Sequence, residues 1–253
     1  MGAIVALANQ KGGVGKTTSA INIAAALGKR KKKVLLIDLD PQGNATSGLG
    51  IAKKDITNGI YEALIGHCAA ADAVIKTKFD NLALIPSTIS LVGAEIELAE
   101  EEHPEAFLKN ALQPLREDYD YILIDCPPSL SRLTVNALTA ADGLVIPMQS
   151  EYFALEGLSQ LMQTVRLVRQ HYNPSLALTG ILLTMHNRRF LLASQVMREL
   201  KKYYAAQLFK PTVSRSVKLG EAPSYGEPIS YYDPKGKGSK EYDDVARELM
   251  LRI

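Results

Sequence analysis

Six short apolar runs, at residues 3–8, 34–37, 82–85, 121–124, 144–147 and 178–184, alternate along the chain with longer segments of helical periodicity. A strand that is apolar throughout must be covered on both faces, and a parallel neighbour is reached only through a crossover of a dozen or more residues. The alternation therefore predicts an α/β fold, a mostly parallel β-sheet with helices on both faces. Two of the connections carry helical spacing: Ile21, Ala24, Ala25 and Gly28 within residues 17–28, and Leu158, Leu161, Val165 and Val168 within 154–171. Neither an internal repeat nor a Pro/Gly/Ser-rich linker divides the 253 residues, so one domain is expected over 1–253. Residues 48–82 have the weakest pattern.

Composition narrows the class further. At 47% hydrophobic and 22% charged, the chain has enough apolar side chain for a core, which excludes a disordered or low-complexity protein. Cys68 and Cys126 lie far apart with no Cys/His spacing around either, so neither a disulfide scaffold nor a zinc site is expected, and a reducing cytoplasm suits the chain. The apolar start is one strand long and runs into Asn9-Gln10-Lys11, unlike a signal peptide. No apolar run approaches the roughly 20 residues that span a bilayer, and no membrane insertion is expected.

The first apolar run leads directly into Asn9-Gln10-Lys11-Gly12-Gly13-Val14-Gly15-Lys16-Thr17-Thr18, which in turn opens the first helical segment. A phosphate-binding loop occupies that position. Its glycines let successive N–H groups turn inward toward phosphate oxygens, beside the positive end of the following helix. In such a loop Lys16 reaches the β- and γ-phosphates and the Thr17 hydroxyl ligates Mg²⁺. The usual pattern begins with glycine six residues before the lysine, whereas here Gln10 stands there and a second lysine, Lys11, follows it. Because Lys16 already serves the chain's own phosphates, Lys11 points to a nucleotide held by a neighbouring subunit.

Phosphoryl transfer also needs carboxylates at the ends of adjacent strands, to hold Mg²⁺ and place water. Two segments fit: Asp38-Leu39-Asp40-Pro41-Gln42-Gly43 after residues 34–37, and Asp125-Cys126-Pro127-Pro128 after residues 121–124. A lone aspartate after a strand is more often a turn former or helix cap, and a buried cap at Asp38 would look the same.

The loop with its extra lysine resembles the ParA/MinD group of deviant Walker ATPases. The blocks Asp38 to Thr46, Asp125 to Ser129, Gln149 to Gly157 and Gly220 to Ser224 extend the resemblance to Soj-type chromosome-partitioning ATPases of the short form, without an N-terminal helix-turn-helix domain. The resemblance implies a cytoplasmic, nucleoid-associated Mg²⁺-ATPase that binds ATP across a sandwich homodimer. Lys11 would act on the partner's nucleotide and Asp40 on the attacking water, with Asp38 and Asp125 supporting the metal and Glu151 reaching the partner's ribose. The base-binding stretch appears here as Ser214-Arg215-Ser216, without the family's Pro and Asn, which makes Arg215 and Ser216 the expected adenine contacts. A ParB-type centromere-binding protein would be the stimulating partner. A positioning ATPase of the MinD kind, acting on a membrane or protein scaffold, and a regulator that touches a replication initiator share these motifs.

The formal charge of +2 conceals a separation. Residues 181–240 hold eleven lysines and arginines, Arg188, Arg189 and Lys218 among them, against four acidic residues, while Glu95, Glu97, Glu100, Glu101, Glu102 and Glu105 cluster elsewhere. A one-sided basic surface suits non-specific binding to the phosphate backbone of double-stranded DNA, although solvated helix faces give the same count. The resemblance directs this role to Arg189 and Lys218. The lysine-rich end of the first helix, residues 29–33, is expected to favour that helix terminus. The four histidines show no metal-ligand spacing. In the last fourteen residues, the stripe Val245, Leu249 and Ile253 is expected to pack on the core.

Overall fold

The computed structural model describes residues 1–187 and 189–253. Seven strands among them form one sheet: β1 Ala3–Leu7, β2 Val34–Asp38, β3 Ile75–Lys76, β4 Leu82–Ile85, β5 Tyr121–Asp125, β6 Gly143–Gln149 and β7 Ala177–Thr184, in the spatial order β3-β4-β2-β5-β1-β6-β7. Six of these are the apolar runs, all parallel to one another; the two-residue β3 pairs antiparallel with β4 at the edge. The helices are α1 Lys16–Lys29, α2 Asn44–Gly48, α3 Ile60–Leu64, α4 Leu91–Glu97, α5 Phe107–Leu112, α6 Arg132–Ala140, α7 Tyr152–His171, α8 Leu191–Tyr204, α9 Val217–Glu221, α10 Ile229–Tyr232 and α11 Lys237–Arg252.

Alternation along each strand sorts its side chains between two apolar layers. Ile4, Ala6, Ile122 and Ile124 face one way, where α6 and α7 cover them with Leu133, Leu138, Leu161 and Val165. Val5, Leu7, Leu36 and Leu123 face the other, under Ile23 and Leu27 of α1 and Val245 and Leu249 of α11. Ile253 departs from the expected stripe: it follows the end of α11 and is 44% exposed. The basic end of α1 likewise does more than favour its own terminus. Lys29 donates to the Ser230 carbonyl and lies over the Tyr231 ring, and Arg30 pairs with Asp243 of α11. These contacts fasten α1 to the C-terminal helices.

The chain crosses from β1 to β2 and later returns β5 to the gap between them, while β6 lies on the other side of β1. Parallel strands on both sides of β1 bring their carboxyl ends to one edge, where a doubly wound sheet opens a crevice. Close approach of α1 to the turn before β4 is needed at Gly28, where an added Cβ would sit 2.1 Å from the Asp80 carbonyl oxygen. Intrinsic helix propensity favours alanine over glycine by about 1 kcal/mol, but overpacking against backbone costs about 1–3 kcal/mol. Gly28→Ala is therefore expected to lower stability by up to about 2 kcal/mol in urea unfolding; a gain would show that the turn yields freely.

Candidate functional site

The phosphate loop joins β1 to α1 and holds left-handed backbone at Gly13 (φ 72°) and Gly15 (φ 83°), conformations that favour glycine. Its far side is fastened to the ends of β6 and β7. Asn9 donates its side-chain amide to the Pro147 carbonyl at 2.8 Å, Gln149 donates to the Gly13 carbonyl at 3.1 Å, and the Thr184 hydroxyl donates to the Val14 carbonyl at 2.7 Å. With its outer carbonyls so engaged, the loop is set before any ligand arrives.

A cleft of about 450 Å³ opens beside the loop. Gly12, Gly13, Gly15, Lys16, Thr17 and Thr18 form its floor, with Asp40, Asn44 and Ser47 on one wall and Pro128, Met185, Ala222 and Pro223 completing it. Lys16 is buried, and its ammonium donates to the Lys11 carbonyl at 3.3 Å. Burial lowers its pKa, while the carboxylates of Asp125 and Asp40 and the Cys126 thiol act in the opposite sense. Such a cation has more attraction to offer an incoming polyphosphate than one already paired.

Asp125 ends β5 directly opposite Leu7 of β1 and Asp38 of β2. Its side chain is fully buried, and neither carboxylate oxygen makes a hydrogen bond of good geometry among the described residues. Burial and the neighbouring Asp38 raise its pKa well above the carboxylate range, against the opposing pull of the Thr17 hydroxyl and Lys16. A fully buried carboxylate so weakly answered is costly unless a cation joins it, so the Asp125–Thr17 pair fits a hydrated divalent ion. Among the described residues, no group of three or more His, Cys, Asp or Glu side chains forms a ready-made metal cage.

Asp38 is employed differently. The amide and hydroxyl of Thr46 both donate to its Oδ2 at 2.7 Å, and the Asp40 amide donates to Oδ1 at 3.3 Å. Burial nonetheless pushes its pKa up to about 6. Asp38 thus helps to fix the loop that carries Asp40 while standing opposite Asp125 in the sheet. Asp40 faces the cleft while its Oδ1 accepts the Gln42 amide at 2.9 Å.

Lys11 and Glu151 line the cleft in neither case; they meet each other on the surface beside it, at 2.5 Å. Arg215 and Arg189 share a separate groove of about 670 Å³, and Ser216 borders neither space. The expected adenine contacts are thus not drawn into the phosphate cleft of the single chain.

Residues 2–178 match the family profile described as an AAA domain. The sporulation initiation inhibitor protein Soj of Bacillus subtilis (strain 168) is 53% identical over 249 residues, covering 98% of each chain. The chromosome partitioning protein ParA of Myxococcus xanthus (strain DK1622) is 51% identical over 252 residues, covering 100% of this chain and 89% of its own length. The chain belongs to the ParA/Soj family of partitioning ATPases. Its fold also matches a cobyrinic acid a,c-diamide synthase from Mycobacterium smegmatis, solved with a bound ATP analogue and magnesium, at TM-score 0.87 and 36% identity, covering 99% of this chain and 95% of that one.

Within this ParA/Soj chain, Arg189 is exposed at the turn before α8, and Arg188 lies outside the described residues. Lys218 is partly engaged, pairing with Glu221 at 3.2 Å and lying over the Tyr232 ring. Lys202 pairs with Glu199, and Lys237 pairs with Glu241, an acidic residue just beyond the counted segment. Residue-by-residue reading of the sequence missed the cleft walls at Asn44, Pro128 and Ala222–Pro223, all of which fall inside the quoted family blocks; Met185 carried no signal. Thr46 was missed too, although its hydroxyl both serves Asp38 and accepts the Ser87 amide at 3.0 Å. Thr46→Val removes both bonds at nearly constant volume and is expected to cost roughly 2–4 kcal/mol. Denaturant unfolding of the nucleotide-free protein checks it, and a loss under 1 kcal/mol would refute the positioning role.

Proposed function

We propose that this ParA/Soj chain is a cytoplasmic, single-domain ATP switch for DNA segregation. It forms an ATP sandwich homodimer, binds double-stranded DNA non-specifically on the nucleoid, and is reset by slow hydrolysis that a ParB-type partner stimulates. The observation that carries the reading is the division of the two loop lysines. Lys16 is buried in the cleft beside Asp40 and Asp125, whereas Lys11 stands outside it on the surface, where a second subunit could meet it. The match to a structure holding an ATP analogue and magnesium supports the ligand assignment.

On this reading the loop amides and Lys16 grip the phosphates, and Thr17 and Asp125 would hold Mg²⁺, which would supply positive charge against that of the phosphates. Asp40 orients the attacking water, and Lys11 of the partner subunit adds a further cation as charge shifts during transfer. Glu151 must release Lys11 for this to happen. Exposed pairs contribute only about 0–1 kcal/mol, so that release costs little against the contacts a shared nucleotide brings. ATP that touches both subunits favours the dimer by the difference ADP cannot supply.

Lys16→Ala is expected to weaken ATP affinity at least about tenfold, measured by calorimetry; unchanged affinity would remove the phosphate-loop assignment. Asp40→Ala is expected to accumulate as an ATP-bound dimer in light scattering, and a variant that stays monomeric with ATP would defeat either the dimer or the role of Asp40. With a slowly hydrolysed ATP analogue the wild type is expected to bind random-sequence DNA in a salt-sensitive way, and with ADP it is not. Arg189→Glu should weaken that binding and reduce the salt slope by about one while dimerisation persists. Dimerisation without DNA binding in either nucleotide state would transfer the switch to a membrane or protein scaffold.

A further inference from the structure

The turn that carries Asp40 is held on its buried side by Thr46, which bonds to Asp38 and accepts the Ser87 amide. On its solvent side stands Lys53, at the start of a single helical turn, Lys53–Asp55. The Lys53 ammonium donates to the Gln42 carbonyl, which accepts from no other donor among the described residues. Its stem lies against Gly43, whose backbone is left-handed (φ 57°). A Cβ added at Gly43 would lie 2.7 Å from Lys53 Cε and 2.7 Å from the Ser87 carbonyl oxygen. Lys54, next along the chain and equally exposed, makes no such contact.

Gln42 joins Lys53 to Asp40. Its carbonyl accepts from Lys53, and its amide donates to Asp40 Oδ1 at 2.9 Å. The Gly43 amide closes the turn on the Asp40 carbonyl at 2.8 Å. With Oδ1 engaged, Oδ2 is the Asp40 oxygen left for a ligand in the cleft, since it makes no hydrogen bond among the described residues. The turn is fixed where it enters by the bond from the Asp40 amide to Asp38, and where it leaves by the Ser47 hydroxyl on the Gly43 carbonyl at 2.9 Å. Between those points the Gln42 backbone depends on Lys53. A group that orients a reacting water must be held to within about half an ångström, so the backbone that sets its rotamer matters to the reaction.

We infer that Lys53 is a positioning residue for ATP hydrolysis, acting through Gln42 to aim the Asp40 carboxylate; this rests on the water-orienting role given to Asp40 above. An exposed ammonium on a carbonyl adds little to global stability. Its effect falls on the precision of the turn.

The test compares single-turnover ATP hydrolysis with ATP affinity in variants of the full chain. Lys53→Met keeps the stem over Gly43 and removes the donor. It is expected to slow hydrolysis about three- to tenfold, as loss of one charge-assisted hydrogen bond allows, with ATP affinity within about twofold of wild type. In the nucleotide-free chain the Gln42 amide should exchange its hydrogen faster than in wild type. Lys53→Arg, which retains a donor, should recover most of the rate, and Lys54→Met, which removes the same charge one residue on, should not slow it. Lys53→Met combined with Asp40→Asn should be no slower than Asp40→Asn alone, because nothing is then left to position. A wild-type rate in Lys53→Met beside a slow Asp40→Asn would overturn the role of Lys53 and leave that of Asp40 standing. A slow Lys53→Met beside Asp40→Asn at the wild-type rate would overturn both. Equal losses in Lys53→Met and Lys54→Met, or a further loss in the double variant, would overturn the route through Asp40.

Discussion

Insertion of β5 between β1 and β2 sets Asp125 opposite Leu7 on one side and Asp38 on the other, and this register fixes where every charged group of the cleft can stand. A slip of one residue would exchange the two faces of β5, putting Ile122 and Ile124 among the partners of α1 and α11 and moving Asp125 off the edge. The register is held because both faces are apolar and fully covered, so neither direction of slip leaves the packing intact. Charge is concentrated at the end of this arrangement. Three aspartates and Lys16 are buried within the same corner, a distribution that a folded chain tolerates only where hydrogen bonds or ligands answer it. Asp38 is answered by Thr46 and the Asp40 amide; Asp125 is left to a cation.

Legibility in the sequence followed burial. Strands enclosed on both faces must be apolar throughout, so β1, β2, β4, β5, β6 and β7 were all visible as runs, with ends displaced by at most two residues. Edge strand β3 is two residues long, one of them the exposed Lys76, and nothing in its composition separates it from a loop. The short helices α3 and α5 were equally hidden, because four to six residues show less than two turns of periodicity and are held by tertiary contacts rather than by propensity. For the site, residues whose chemistry is local could be read: the glycines, Lys16, Thr17 and the aspartates at strand ends. Pro128, Met185 and Pro223 are brought to the cleft by the course of the chain, and no residue type announces that.

The two loop lysines illustrate a further limit. Sequence pattern marked Lys11 as surplus to the chain's own phosphate loop, yet its link to Glu151, 140 residues away, depends on β6 lying beside β1. The same adjacency lets Gln149 and Thr184 hold the loop's outer carbonyls. The loop is thus braced on its β6–β7 side and free on the side that faces α2 and the Asp40 turn. Under the switch proposed above, that asymmetry would matter, since a braced wall would keep the phosphates in place while the other wall carries Asp40.

Charge is partitioned across the sheet in the same sense. Basic residues gather around α8, after β7 at one edge, and glutamates around α4, after β4 near the other, so the small formal total of +2 describes neither surface. Surface fields act over about a Debye length, roughly 8 Å at physiological salt, much less than the span of a seven-stranded sheet at about 4.8 Å per strand. Each edge therefore presents its own field to an approaching molecule. A polyanion meeting the α8 edge need not be repelled by the α4 edge. The cleft lies between them at the carboxyl ends of the central strands, so ligands on either edge flank the nucleotide without covering it.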